Sequence, residues 1–562
     1  MERNAILATA LVILILLGYQ WYLSHFELPP QEAQHPAPST TPAPRQSAPS
    51  PAPSVKVTPA PAKIPAQRQG FTPTANLGLQ AKDVIVETPL MRITLSTMGA
   101  RATSWQLKRY QLDNGSPVEL VAGHNPGAGP APLETWTDGP QAPEVFQVDR
   151  DHLTLSGQET GALAFTQINT AGVEIQKRLI FRADRYRVEV GLSIRNLSDQ
   201  DVAVQPRLAW GPGLRNSQDK KASTLHPPTL WLDGKRVQED LAKLNGERAL
   251  DGIVSWAALQ DSYFAAALLP KEKTLRAFVL KAAEDQPVVG LVAPKQTLQP
   301  GGQAALEAEV FAGPKDLDVL KSADQDLEKL VDLGWFDFLA RPALYLLKFL
   351  YSFLGNYGMA IILVTVLQKV AFYPLTQKSL KSMSAMQAIQ PKVQALQERF
   401  KNNPQKKQEE TMALYRKHGV NPMGGCLPML VQIPIFIALY NALSNSVEMW
   451  QAHFLWIRDL TQPDSLFKLQ LWGAEYYNAG NLLGLLMGVS MWVQQKMSPP
   501  AGDPRQAQMM LWMMPIIFTW MFWSFPSGLV LYWLVNNVLQ IGQQWLIMGK
   551  PSRPAPSEGQ TS

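Results

Sequence analysis

Cysteine is almost missing from this chain: among 562 residues only Cys426 carries a thiol, so no intrachain disulfide can form. A domain lying outside the reducing cytoplasm must then hold its shape by packing alone, without the staples of small secreted domains. Histidine is scarce too. His25, His35, His124, His152, His226, His418 and His453 include no pair at metal-ligand spacing, and neither HExxH nor a cysteine cluster occurs, so no zinc-type centre is legible. The phosphate-cradling GxxxxGK(S/T) pattern is also absent, which excludes nucleotide hydrolysis by that route. No cofactor, metal or catalytic residue is expected. Acids are sparse between residues 374 and 424, where Glu398, Glu409 and Glu410 face nine cations: Lys378, Lys381, Lys392, Arg399, Lys401, Lys406, Lys407, Arg416 and Lys417.

Long hydrophobic runs, by contrast, are plentiful. Candidate spans are Ala5–Leu23, Gly355–Tyr373, Gly425–Leu443, Leu482–Met497, Met509–Phe525 and Leu529–Ile547. A helix crossing a bilayer needs about 20 predominantly apolar residues, so the fourth and fifth are short and imply a thinned bilayer or sheltering neighbours. The first run ends in bulky Tyr19, Trp21 and Tyr22 with no small-residue cleavage pattern, and reads as an uncleaved anchor. The basic loop 374–424 falls in the cytoplasm by the positive-inside rule, whereas loop 446–480, with only Arg458 and Lys468, falls outside. Both termini are then cytoplasmic, residues 24–334 are external, and a bacterial inner membrane with a periplasmic domain fits best.

Six segments follow. Residues 1–28 form the anchor, and 29–70 a Pro/Ala-rich linker that cannot bury a core. Residues 71–334 carry short β-branched runs such as MRITLST and YRVEVGLSIRN between Gly, Asn, Asp and Pro, the texture of an all-β sandwich. The run 335–354 is apolar but interrupted by Asp337, Arg341, Pro342 and Lys348, which suits an amphipathic helix in the outer interface. Residues 355–548 form a helical membrane core with a cytoplasmic hairpin at 376–420, and 549–562 a cytoplasmic tail. On that hairpin Met383, Met386, Ile389 and Val393 recur at helical spacing. Two roles are open to them: an adaptable surface for apolar clients, or the seam of the hairpin itself.

Lys369 is the most informative residue. It lies in the apolar run GNYGMAIILVTVLQKVAFY, where a buried cation costs about 2.5–3.5 kcal/mol on insertion scales. Either it snorkels to an interface, or it faces water, a partner or a passing substrate. Thr365 and Gln368 share its face, Gln432 and Asn441 dot the next span, and Asn537, Gln540 and Gln544 form a stripe on the last. Such amides serve as interhelical glue or line a wet cavity.

The segments AFYPLTQKS, QPKVQALQERF, MALYRKHGVNPMGGCLPMLVQIPIFIALY, QKMSP and FPSGLVLYWLVNN together resemble the YidC/Oxa/Alb insertases over roughly 335–548. The tether and β domain at 24–334 resemble the long Gram-negative form of that family. The resemblance implies a five-helix core around a hydrophilic groove, a mobile hairpin, and insertion of nascent membrane proteins, alone or beside the Sec translocon, with the ribosome and membrane lipids as further partners. By that resemblance Lys369 replaces the groove arginine, Thr365 matches a groove threonine, and Leu430, Ile433 and Phe436 line the client's exit path. Tyr532-Trp533 stand where the family tends to have a tyrosine pair. Two other classes stay open from the residues alone: a secondary transporter or channel, against which stands the lack of an inverted repeat, and an anchored glycan-binding protein using Trp105, Trp136, Trp210, Trp231 or Trp256.

Overall fold

The computed structural model describes residues 80–548 except 113, 123–128, 138–143, 216–224, 245, 324, 402, 421–426, 467–468, 472–473, 477–479 and 499–503. The expected anchor 1–28, linker 29–70, tail 549–562 and Cys426 lie outside the described residues.

Strands occupy the chain from Asp83 to Pro314 and form a large sandwich. One layer is a nine-stranded sheet with Val254–Gln260, Phe264–Pro270, Gln303–Pro314, Arg187–Asn196 and Val173–Arg182 at its middle. The other layer consists of two five-stranded sheets, one around Met91–Ser96 and Arg101–Gln111, the other around Arg276–Lys281 and Pro287–Val292. Alternation sets the faces: Val188, Val190, Leu192 and Ile194 point inward from Arg187–Asn196 while their neighbours stay wetter. The central strand Phe264–Pro270 is buried at every position, and reads accordingly as an unbroken apolar run. Trp105 and Trp210, one on each five-stranded sheet, meet edge to face at 5.4 Å and are fully buried. They are core aromatics.

Helix α1 (Leu317–Ser322) leads from the sandwich to α2 (Asp337–Leu354). There follow α3 (Tyr357–Ala371), α4 (Tyr373–Arg399), α5 (Pro404–Lys417), α6 (Leu427–Ser444), α7 (Leu482–Met497), α8 (Pro504–Phe522) and α9 (Ser527–Met548). One continuous apolar cluster runs from the sheets through Leu317, Leu320, Leu330 and Leu344 into these helices. Helix α9 packs on α3 and α7, α7 on α8, and α2 on α3 and α6. Gly355 caps α2 in the left-handed region at φ 62°, its N–H bonded to Tyr351 O at 2.7 Å. The next residue, Asn356, caps α3 by accepting from Met359 N–H at 3.1 Å. At Gly358 any side chain would strike the Phe454 ring, so the loop after α6 seats directly on α3.

Helices stand where five of the six expected runs lie; α7 has the expected ends, Leu482–Met497, and the other four are shifted. The run Gly355–Tyr373 yields only the 15 residues of α3. Pro374 cannot donate to the carbonyl four residues back and its ring collides there, so the chain turns at Phe372 into α4. Among the described residues no single helix is long and apolar enough to cross a membrane. The pair Tyr357–Ala371 and Tyr373–Leu396 meets that requirement together, bent by 67°. In α9 the amides Asn536, Asn537, Gln540, Gln543 and Gln544 dilute the apolar content.

The sandwich and the helices are joined by specific contacts. Trp450, in the loop after α6, packs edge to face on Tyr263 at 4.7 Å and on Phe264 at 5.5 Å. Its indole N–H donates to Gln111 O at 3.3 Å, as the Gln451 amide does at 2.7 Å.

Candidate functional site

Three helices converge on a polar cluster. Gln368 and Lys369 are successive on α3 and both side chains reach into it. Gln432 reaches them from α6, and Tyr532 and Gln540 from α9. The Gln368 amide donates to Gln432 Oε1 at 3.1 Å. Gln432 in turn donates to the Tyr532 hydroxyl, which closes the cycle by donating to Gln368 Oε1 at 3.1 Å. Each member gives and takes one bond, a satisfied network of the kind a buried polar cluster needs.

Lys369 stands beside this ring. Its ammonium donates to Gln540 Oε1 at 2.8 Å and has no carboxylate partner among the described residues. An ammonium carries three donors, so two remain for something else. The residue is only partly buried, and Leu367 and Val370 on either side are exposed.

The expected site residues separate into groups. Thr365 is fully buried and its hydroxyl donates at 2.7 Å to Ile361 O on its own helix, so it does not extend the cluster. Asn537 and Gln544 are buried and turn to α7 instead, donating to Ser490 Oγ at 3.1 Å and Met497 O at 2.9 Å. Those two amides bind helices together. Phe436 is fully buried, with Trp533 at 4.9 Å and Phe522 and Tyr532 each at 6.3 Å; it is a packing centre, not a lining residue. Leu430 is 54% exposed and Ile433 partly buried. On the hairpin Met386 packs with Ile389, Val393, Val420, Leu414 and Tyr415, which is the seam arrangement. Met383 lies outside that cluster and is partly buried.

Further acceptors face no donor. Asn536 Oδ1 and Gln543 Oε1 on α9 and Gln495 Oε1 on α7 are buried and unbonded among the described residues. Sequence reading does not separate these amides from Asn537 and Gln544. It missed Ser490, whose small hydroxyl gives no signal in a helix of Leu, Met and Gly. Among the described residues no group of three His, Cys, Asp or Glu is placed to hold a metal ion.

Two family descriptions cover most of the chain: residues 83–346 match the YidC periplasmic domain and 349–553 the 60Kd inner membrane protein. The membrane protein insertase YidC of Geobacter metallireducens is 38% identical over 557 residues, covering 97% of this chain and 98% of its own. That of Geobacter sulfurreducens is 39% identical, with 97% and 98% covered. A crystal structure described as an active YidC insertase with the first transmembrane domain resolved aligns at 18% identity and a TM-score of 0.36, over 83% of this chain and 92% of that one.

Proposed function

We propose a route for membrane insertion from one premise: the chain belongs to the YidC family of membrane protein insertases. It inserts newly made membrane proteins into the bacterial inner membrane, and those proteins are its clients. The route runs through the cluster of Gln368, Lys369, Gln432, Tyr532 and Gln540. What a client's translocated tail faces in hydrocarbon is the loss of hydrogen bonds to its backbone, at several kcal/mol per group. The amide ring offers replacements, because each of its members can exchange an internal bond for one to the client. Lys369 draws acidic residues of the tail inward.

The observation that carries this reading is the isolation of Lys369: a cation amid apolar helices, answered by one neutral amide. A lysine kept for packing would be matched by a carboxylate, since a buried charge is tolerated when paired. The unbonded oxygens of Gln495, Asn536 and Gln543 support a wet rather than dry interior, as each would cost about 1–3 kcal/mol without water. Asn537 and Gln544 hold α7 to α9 behind the groove. The client's apolar helix leaves past Leu430 and Ile433, with Phe436 and Trp533 as the rigid wall behind them. The fifteen residues of α3 span about 22 Å, less than the roughly 30 Å of hydrocarbon, so the barrier beside the groove is thinned. The potential adds about 2.3 kcal/mol per charge per 100 mV.

In this scheme the chain crosses the membrane six times with both termini in the cytoplasm, residues 24–334 are periplasmic, and α2 lies in the outer interface. Met383 on the hairpin meets the client first while Met386 holds the seam. The basic hairpin approaches the ribosome by its charge, and the Sec translocon and lipids flank α3 and α9.

Replacing Lys369 tests the scheme. Lys369→Ala lowers insertion of a single-span client with an acidic translocated tail about tenfold, the worth of one charge-assisted hydrogen bond, and Lys369→Arg restores it. Wild-type insertion by the alanine variant in a depletion strain, at equal expression, refutes the charge role.

A further inference from the structure

At the seam between sandwich and helices lies a cavity of about 400 Å³ whose lining includes His226, Arg236, Gln260, Lys315, Asn441 and Asn445. Its chemistry is unlike that of a gap left by imperfect packing. Lys315 follows the last strand of the sandwich and is 3% exposed. Among the described residues its ammonium donates to a single acceptor, Asp261 O at 2.9 Å.

The carboxylates nearby are already engaged. Asp261 pairs with Arg215 at 3.1 Å and Asp332 with Arg236. Lys315 borders the cavity and has no carboxylate pair of its own among the described residues. Burial lowers its pKa to about 8, the response expected of a cation short of an anion.

The lining also holds an acceptor short of a donor. Gln260 is 2% exposed and its Oε1 bonds nothing among the described residues. Its orientation is fixed: its amide donates to Thr229 Oγ1 at 3.2 Å, and that hydroxyl is itself used as a donor to Pro227 O at 2.9 Å. The His226 ring, also on the lining, has no side-chain partner among the described residues. The lining therefore offers a cation without an anion and an acceptor without a donor.

We propose that this cavity binds a phosphate ester bearing a hydroxyl or ammonium group, and specifically the headgroup of a membrane phospholipid. The phosphate would lie between Lys315, His226 and Arg236, and the hydroxyl or ammonium would donate to Gln260 Oε1. A lipid is favoured over a free phosphate by position. Asn441 and Asn445 are at the outer end of α6, and the cavity borders Gly334, just before α2. With α2 in the outer interface, the cavity opens at headgroup level; this step rests on the topology proposed above. Lipid bound there would tie the sandwich to the bilayer at a fixed height over the groove.

The test uses the full chain, delipidated in maltoside micelles and titrated with dihexanoyl phosphatidylglycerol. Saturable one-to-one binding is expected, weakened about tenfold by Lys315→Met, since a hydrogen-bonded charge is removed. Gln260→Leu and His226→Ala, each assayed beside a thermal melt, carry the test if Lys315→Met does not fold. Equal binding by the wild type and by folded variants overturns the site. Inorganic phosphate binding as tightly, and lost in the same variants, overturns the lipid assignment in favour of a free anion. A photoreactive residue at position 445 in bilayers is expected to capture lipid. Failure to do so with micellar binding intact overturns the membrane level given to α2 and leaves the site's chemistry standing.

Discussion

Lys348 on α2 and Lys369 on α3 sit on consecutive helices, and both interrupt apolar sequence, but their surroundings are opposite. Lys348 is ringed by carboxylates: Asp318 at 2.5 Å, and Asp316 and Glu448 each at 3.2 Å. Burial alone would lower its pKa, but the bond to Asp318 and the charges of Glu448 and Asp316 hold it above the ordinary lysine range. Glu448, buried and beside Asp316, is pushed upward. Lys369 has one amide. The first arrangement closes on itself, joining the approach to α1, the helix α2 and the loop after α6. The second leaves donors free. A lysine saturated with counter-ions holds the structure together, whereas one left unsaturated is available to something that passes.

The largest effect expected from breaking this comparison is on stability. Lys348→Met strands the buried Glu448 and Asp316 without their cation, and removing one partner of a buried pair costs about 3–5 kcal/mol. Lys348 keeps a fifth of its side chain exposed, so the lower end, about 3 kcal/mol, is expected in reversible denaturation of the full chain, with Glu448→Gln recovering part of it. Lys369→Met should leave the melting temperature unchanged or higher, because it removes an unpaired charge from an apolar setting. If the two variants melt alike, the distinction between a structural and a functional lysine fails.

A second lysine of the sandwich gives a smaller, pH-dependent effect. Lys177 is fully buried and donates to Ala100 O at 2.6 Å and to Leu133 O, two residues held in the left-handed region at φ 46° and 65°. Burial lowers its pKa to about 7, partly countered by Glu134. Between pH 7 and the ordinary value of about 10.4 the unfolded chain therefore binds a proton that the folded chain does not. The folded state carries the full penalty below pH 7 and sheds it as pH rises, so stability increases by at most about 1.4 kcal/mol per pH unit. Lys177→Met should flatten that part of the slope between pH 7 and 9. An identical slope in both proteins would mean that Lys177 keeps its proton.

How legible was all this in the sequence? Apolar runs located the helices, because hydrophobic length survives without knowledge of partners. Their ends were less legible: the bend at Phe372 depends on how Pro374 meets the preceding turn, and periodicity cannot see that. The sandwich was visible as alternation in Met91–Ser96 and Arg187–Asn196. Its fully buried strand Phe264–Pro270 has no alternation to read. The polar stripe on α9 was visible as a set, but its division was not. Gln540 bonds a residue of α3 and Asn537 one of α7 because positions three apart still differ by about 60° around a helix, and the partners lie at least 47 residues away. The junction was illegible for the same reason. Lys348, Asp316 and Glu448 are scattered charges in the sequence, and only the fold brings them together.

That division of α9 yields the smallest effect and the sharpest comparison. Asn537→Leu removes the bond to Ser490 and should cost about 0.6 kcal/mol, the mean for interhelical bonds in membrane proteins, with insertion unchanged. Gln540→Leu removes the only acceptor of Lys369 among the described residues, about one turn further along the same helix. Its stability cost should be similarly small, while insertion of acidic-tailed clients changes, because the lysine then loses the bond that aims it. Measuring melting temperature and insertion for both variants separates glue from groove at neighbouring positions. Were both to affect insertion equally, the wet surface would extend to α7, and the line drawn between the two faces of α9 would have to be erased.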